Sequence, residues 1–106
     1  MARLSWAEPA LLDLEDIAEY IALDNPAAAS RYVQNVFAAT ERLKRYPNSG
    51  TQPAELPETP YRELVVPPCR FFYRIEENIV FILHVMRSER LWRSFLLDQR
   101  ADDLSP

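Results

Sequence analysis

The chain has 106 residues, 48% hydrophobic and 11% aromatic, enough for one packed core and too apolar for a disordered segment. Its one glycine, Gly50, argues against glycine-rich phosphate loops, and its one cysteine, Cys69, excludes an internal disulfide and a cysteine zinc site. The net charge of −4 is unevenly spread: Arg62 to Arg93 holds six arginines and four acids, while Leu4 to Ser30 holds six acids and no base, which suggests two faces with different partners.

The N-terminus, MARLSWAEPALLDLED, carries acids where an export signal needs an apolar run. No apolar run approaches the roughly 20 residues of a membrane span. With one cysteine, these features predict a cytoplasmic protein that engages no membrane. Arg3 to Trp6 alternate polar and apolar, as in a short strand. Pro9 suits the first turn of a helix, and Leu11, Leu14, Ile17, Ala18 and Ile21 follow at helical spacing as one apolar stripe. Asn25 and Pro26 are good cap and first-turn residues for a second helix. That helix carries Ala29, Val33, Val36, Phe37, Thr40 and Leu43 on one side, widened by Tyr32, Ala39 and Tyr46. Pro47 to Gly50 stop it. So short a connection predicts an antiparallel helical hairpin.

Thr51 to Pro60, with three prolines, reads as a loop. Arg62 to Val66 reads as a strand ended by Pro67-Pro68, and Arg70 to Glu76 as the next. Glu77-Asn78 is a tight hairpin turn without glycine. Ile79 to Met86 is almost continuously apolar and reads as a strand buried on both faces. Leu91 to Leu97 suits a short strand or helix, and the end from Ser94 onward is expected to fray or to contact a partner. The expected fold is α+β: one domain over 1–106, with a helical hairpin on a mainly antiparallel sheet of about four strands.

The stretches LSWAEPALLDLEDIAEYIA, LKRYPNSG and YRELVV with CRFFYRIEENIVFILHVMR, in this order, resemble the RelE/ParE superfamily of toxins from bacterial type II toxin–antitoxin systems. The resemblance spans Arg3 to Trp92. It implies a toxin neutralised by a cognate antitoxin. ParE-like members poison DNA gyrase, and RelE-like members cleave mRNA on the ribosome. Metal-free RNA cleavage needs cationic donors and proton-transfer groups. Arg70 matches the arginine that nuclease members carry at the start of the middle strand. The preceding strand lacks their lysine pair, Ser88 falls where their second arginine would be, and no tyrosine follows Tyr73. Glu55 lies only loosely where other nuclease members carry a glutamate.

The resemblance therefore implies a ParE-like gyrase inhibitor, with Arg70, Arg74, Arg87, Arg90 and Arg93 as target contacts. Arginine suits planar, bidentate partners. An mRNA endonuclease using Arg70, Arg87 and His84 is the alternative, and an inactive remnant that acts only with its antitoxin in operon autoregulation is a third. His84 is expected on the strand face of Val80, Ile82 and Met86, partly buried with one local hydrogen bond. Phe71 and Phe72 read as structural, and Cys69 as a turn or core residue. An apolar antitoxin surface is expected at Tyr32, Val36, Phe37, Leu91, Trp92 and Phe95. No cofactor or metal is expected.

Overall fold

The computed structural model describes residues 1–87. Strand β1 (Arg3–Trp6) leads into helix α1 (Glu8–Asp24), with proline in its first turn, and then into helix α2 (Pro26–Glu41). The Asn25 side chain accepts a hydrogen bond from the Ala28 N–H at 3.1 Å, so the cap read from the sequence is made. Two 3-10 turns, Arg42–Lys44 and Pro47–Ser49, follow. Strands β2 (Tyr61–Val66), β3 (Cys69–Glu76) and β4 (Ile79–Arg87) complete the described chain. The Pro67–Pro68 peptide bond between β2 and β3 is cis. Glu77 and Asn78 both take positive φ, 51° and 63°, as a two-residue turn between right-twisted strands requires. The expected element at Leu91 to Leu97 and the expected frayed end lie outside the described residues.

The sheet order is β1-β4-β3-β2. β1 pairs parallel with β4, and the other two pairs are antiparallel. The fold is the expected α+β arrangement: a helical hairpin on a four-stranded mixed sheet. One sheet face carries Trp6, Val66, Cys69, Phe71, Tyr73, Val80, Ile82 and Val85, by register. The helices lie on that face. Trp6 meets Phe37 of α2 edge-on at 5.6 Å and Phe71 at 6.2 Å, and the Tyr32 hydroxyl donates to the Val66 carbonyl at 2.7 Å. The other face carries Glu63, Val65, Arg70, Phe72, Arg74, His84 and Met86. Phe71 and Phe72 point to opposite faces and are both fully buried, so both are structural.

Some helix positions depart from the sequence pattern. Leu11 is exposed, and fully buried Ala10 takes its place in the stripe with Leu14, Ile17 and Ile21. The stripe thus begins one residue earlier than its leucines suggest. Phe37, read with the apolar side of α2 and as an antitoxin contact, is 44% exposed. No helix among the described residues is long and apolar enough to cross a membrane.

Tyr73 ties the end of the helical half to the sheet. Its hydroxyl donates to the Pro47 carbonyl at 2.7 Å and accepts from the Gly50 N–H at 2.9 Å. Burial pushes the phenol pKa above its usual value. Gly50 has ordinary backbone angles, φ −71° and ψ 163°, so conformation does not require a glycine there. Space does: a Cβ would sit 2.5 Å from the Tyr73 hydroxyl oxygen and 2.6 Å from the Glu63 carbonyl oxygen. Gly50→Ala is therefore expected to destabilise the fold by about 1–3 kcal/mol, the cost of overpacking a closed site. Urea unfolding would measure it, and an unchanged midpoint would mean that the loop moves aside freely.

Candidate functional site

Arg70, at the start of β3, is held on the sheet face opposite the helices. Register alone places Glu63 of β2 directly opposite Phe72, hence diagonal to Arg70. Arg70 Nε donates to Glu63 Oε2 at 2.9 Å, and Nη2 reaches the same oxygen. The other edge of the guanidinium forms a two-pronged pair with Glu55: Nη1 to Oε2 at 2.7 Å and Nη2 to Oε1 at 2.8 Å. The guanidinium carbon also lies 4.9 Å from the centre of the Phe72 ring, a cation–π contact.

Glu55 is delivered by the proline-rich loop. Pro53 and Leu56 are buried, the Leu56 N–H donates to the Pro53 carbonyl at 3.0 Å, and the Thr59 hydroxyl donates to the Leu56 carbonyl at 3.0 Å. These contacts pin the turn over β2 and β3 with Glu55 facing Arg70. The Arg70 and Glu63 side chains are 13% and 15% exposed, and that of Glu55 is 40% exposed. Glu55 is thus the outer, exchangeable partner. The guanidinium beside it holds its carboxyl below the usual carboxylate range, and the pair with Glu55 drives the Arg70 pKa up. Two carboxylates around one guanidinium leave this site with a negative balance.

The other predicted arginines do not join it. Arg74 lies on the same face, four residues along β3, with its Nη2 3.5 Å from Glu76. Arg87 pairs with Cys69 and so belongs to the opposite face. Its guanidinium lies over the Tyr20 ring of α1 at 5.2 Å. Arg90, Arg93 and Ser88 lie outside the described residues. The single basic cluster expected at the strand ends is therefore divided among the described residues, because Arg70 and Arg87 fall on opposite sides of the pleat.

His84 also departs from expectation. His84 pairs with Phe72, and Ile82 pairs with Tyr73, so Leu83 is an extra residue. This β-bulge turns His84 away from the face of Val80 and Ile82 and onto that of Phe72 and Met86. Its Nδ1 lies 3.2 Å from the Asp13 carboxylate of α1, a partner distant in sequence rather than local. The same Asp13 oxygen accepts the Val85 N–H at 3.1 Å. Asp13 is one of the six acids between Leu4 and Ser30, and nothing in the sequence singles it out for this role.

Of the expected antitoxin residues, Tyr32 and Val36 are buried between α2 and the sheet, at 9% and 0% exposure. Burial, and a neighbouring Cys69 thiol, push the Tyr32 pKa above its usual value. Phe37 alone of these three reaches the surface, while Leu91, Trp92 and Phe95 lie outside the described residues.

A family profile described as "ParE toxin of type II toxin-antitoxin system, parDE" matches residues 4–92. The chain belongs to this ParE toxin family. Among its relatives, it is 36% identical to "Putative toxin Y4kP" of Sinorhizobium fredii over 96 residues, covering 89% of this chain and 96% of the relative. It is 35% identical to "Toxin RelE2" of Caulobacter vibrioides over 92 residues, covering 86% of this chain and all of the relative. A solved chain of the "Chromosomal ParDE TA system from P. aeruginosa" superposes with a TM-score of 0.71 at 29% identity, covering 84% of this chain and 98% of that one. A chain of the RelBE2 toxin–antitoxin complex from Mycobacterium tuberculosis shares the fold, with a TM-score of 0.55 at 20% identity over 81% and 96% of the two chains. This ParE-family chain is thus a toxin of the type II toxin–antitoxin kind in the ParE/RelE superfamily.

The Glu55–Arg70 pair predicts an acid-side loss of stability. The folded pKa of Glu55 is depressed, so its contribution is complete above the unfolded value of about 4.3 and disappears as pH falls through the lower folded value. Unfolding free energies below about pH 4.5 should fall less steeply in Glu55→Gln, by no more than about 1 kcal/mol because a partly open carboxylate is screened by water. Asp13→Ala should cost about 1–3 kcal/mol by leaving the Val85 N–H without its acceptor. Chemical denaturation would read both, and an Asp13→Ala variant as stable as the parent would show that water replaces the carboxylate at no cost.

Proposed function

We propose that this toxin acts in the cytoplasm by binding a protein machine, DNA gyrase, and not by cutting RNA itself. The observation that carries this reading is the enclosure of Arg70. Each edge of its guanidinium already faces a carboxylate, so a phosphate would have to displace an anion before it could be held. Arg87, the second cation a nuclease would need, is stacked on Tyr20 across the sheet. The match to a parDE family profile agrees with this reading.

Target contact is assigned to Arg74 and, once Glu55 is exchanged, to Arg70. Arg87, on the opposite face at the end of β4, is proposed with Arg90 and Arg93 as a second, separate target contact. Antitoxin contact is assigned to Phe37 together with Leu91, Trp92 and Phe95, and we treat residues 1–106 as one domain. One observation favours ribosome-dependent mRNA cleavage instead. Glu55, Arg70 and His84 share a sheet face, so a carboxylate, a guanidinium and an imidazole stand on one surface.

The deciding experiment induces the chain without its antitoxin and follows DNA and protein synthesis by separate pulse labels. Early collapse of DNA synthesis with translation persisting is expected, together with loss of gyrase supercoiling when purified toxin is added. Early collapse of translation, with transcripts cut at the ribosomal A site, would establish the nuclease instead. Normal growth would establish a remnant that works only in the antitoxin complex.

A further inference from the structure

Strand β1 is an outer strand of the sheet, and only its β4 side is paired with another strand. The Arg3 N–H donates to the Asn78 carbonyl at 3.0 Å, and the Ala7 N–H to the Ile82 carbonyl at 2.9 Å. Backbone groups alternate sides along a strand, so those of Leu4 and Trp6 point to the outer side. There the Ala2 N–H is taken by the Lys44 carbonyl at 2.8 Å, and the N–H and C=O groups of Leu4 and Trp6 have no partner among the described residues. Such an edge is a ready template for another strand. It also has an apolar margin, because Phe37, 44% exposed, stands with its ring centre 5.6 Å from that of Trp6.

A second copy of the same strand fits this edge about a two-fold axis beside Ser5. In that antiparallel register Leu4 of each copy faces Trp6 of the other, and these are the residues whose backbone groups point outward. Each such pair can exchange both of its N–H to C=O bonds, and Ser5 meets Ser5 in the closely spaced pair between them, where a small side chain suits. Leu4 and Trp6 lie on the helix face, opposite Val80 and Ile82, so each half-buried Trp6 gains the Leu4 of the other copy as an apolar neighbour. Charge agrees with this register. Its continuation sets Ala2 beside Glu8 of the other copy, and Lys44, held at Ala2, belongs to a turn that also carries the exposed Arg42 and Arg45. Glu8 is exposed at the start of α1. A basic turn therefore stands beside an acidic helix start at both ends of the pairing, as a two-fold contact requires.

We propose that the toxin free of antitoxin forms a two-fold dimer in which the β1 strands pair antiparallel, Leu4 with Trp6 and Ser5 with Ser5, joining both sheets into one. The test follows the purified full-length chain, without antitoxin, by sedimentation velocity and by amide hydrogen exchange over about 1–500 µM, the range of weak protein contacts. The sedimenting mass is expected to double across that range. The Leu4 and Trp6 N–H groups should exchange about tenfold more slowly once roughly nine-tenths of the chain is dimer, because exchange then runs through the remaining monomer. The Arg3 and Ala7 N–H groups, bonded to β4, should be protected alike at every concentration. Glu8→Lys should weaken the dimer about fivefold by facing the basic turn, and adding Lys44→Glu should recover it. A chain that stays monomeric throughout would overturn the proposal. So would a doubled mass with unchanged exchange at Leu4 and Trp6, which would place the contact elsewhere, or a Glu8→Lys chain that dimerises as tightly as the parent. Slowing at Leu4 and Trp6 only when antitoxin is added would assign the edge to an antitoxin strand and overturn it equally.

Discussion

The arrangement of this molecule depends on β4. That strand is paired on both sides, parallel to β1 and antiparallel to β3, and Val80, Ile82, Leu83, Val85 and Met86 are all buried. At about 1.5–3 kcal/mol for each large side chain removed from water, these five make a large contribution to folding. A parallel neighbour requires the chain to cross over between β1 and β4, and the two helices lie within that crossover on one sheet face. β1 stops at Trp6, opposite Ile82, so the Val85 N–H extends past its end. α1 starts at that point, and Asp13 supplies the acceptor. The helix thus completes a ladder that the strand leaves short, and the bulge at Leu83 sets which face His84 joins.

The same sheet determines the state of Arg70. Pairing of β2 with β3 brings Glu63 alongside it at no cost in loop ordering, whereas Glu55 must be carried there by the turn anchored on Pro53 and Leu56. The two carboxylates therefore differ. Glu63 is shielded and fixed by the strand, and Glu55 is more open and sits on a loop. A ligand for Arg70 meets the outer carboxylate first. Such a ligand must be a carboxylate or another planar anion that matches the two-pronged geometry, because a weaker partner would not replace a bidentate ion pair. Acidic side chains of a protein fit this requirement without any chemistry being performed.

The sequence carried the elements well, because their signals are local. Asn25-Pro26, Pro67-Pro68 and Glu77-Asn78 mark three of the turns, and the apolar run from Ile79 marks the central strand. What it concealed depends on register between distant segments. An extra residue in a strand leaves no trace in its composition, so the bulge at Leu83 and the face of His84 were illegible. Glu63 could have been found, since pairing β2 with β3 across a short turn puts it diagonal to Arg70. Asp13 could not, because one acid among six on an acidic helix carries no mark of a partner on β4. Tyr32 and Val36 were read as surface because their helix is apolar on more than one side, and only packing reveals which side the sheet takes.

Charge bears on the target in two ways, and distance separates them. The net −4 of the whole chain acts at long range, where salt screens it over about 8 Å at physiological ionic strength. Near contact, local balance decides. On the sheet face of Arg70, two carboxylates surround one guanidinium, and Arg74 lies within reach of Glu76. Among the described residues of this face, neither range favours a polyanion, since phosphate recognition depends on free cations that displace counterions from the nucleic acid. A protein partner makes no such demand. It can present a basic edge to the acidic side of α1 and a carboxylate to Arg70, and the two oppositely charged surfaces would then fix its orientation before close packing begins.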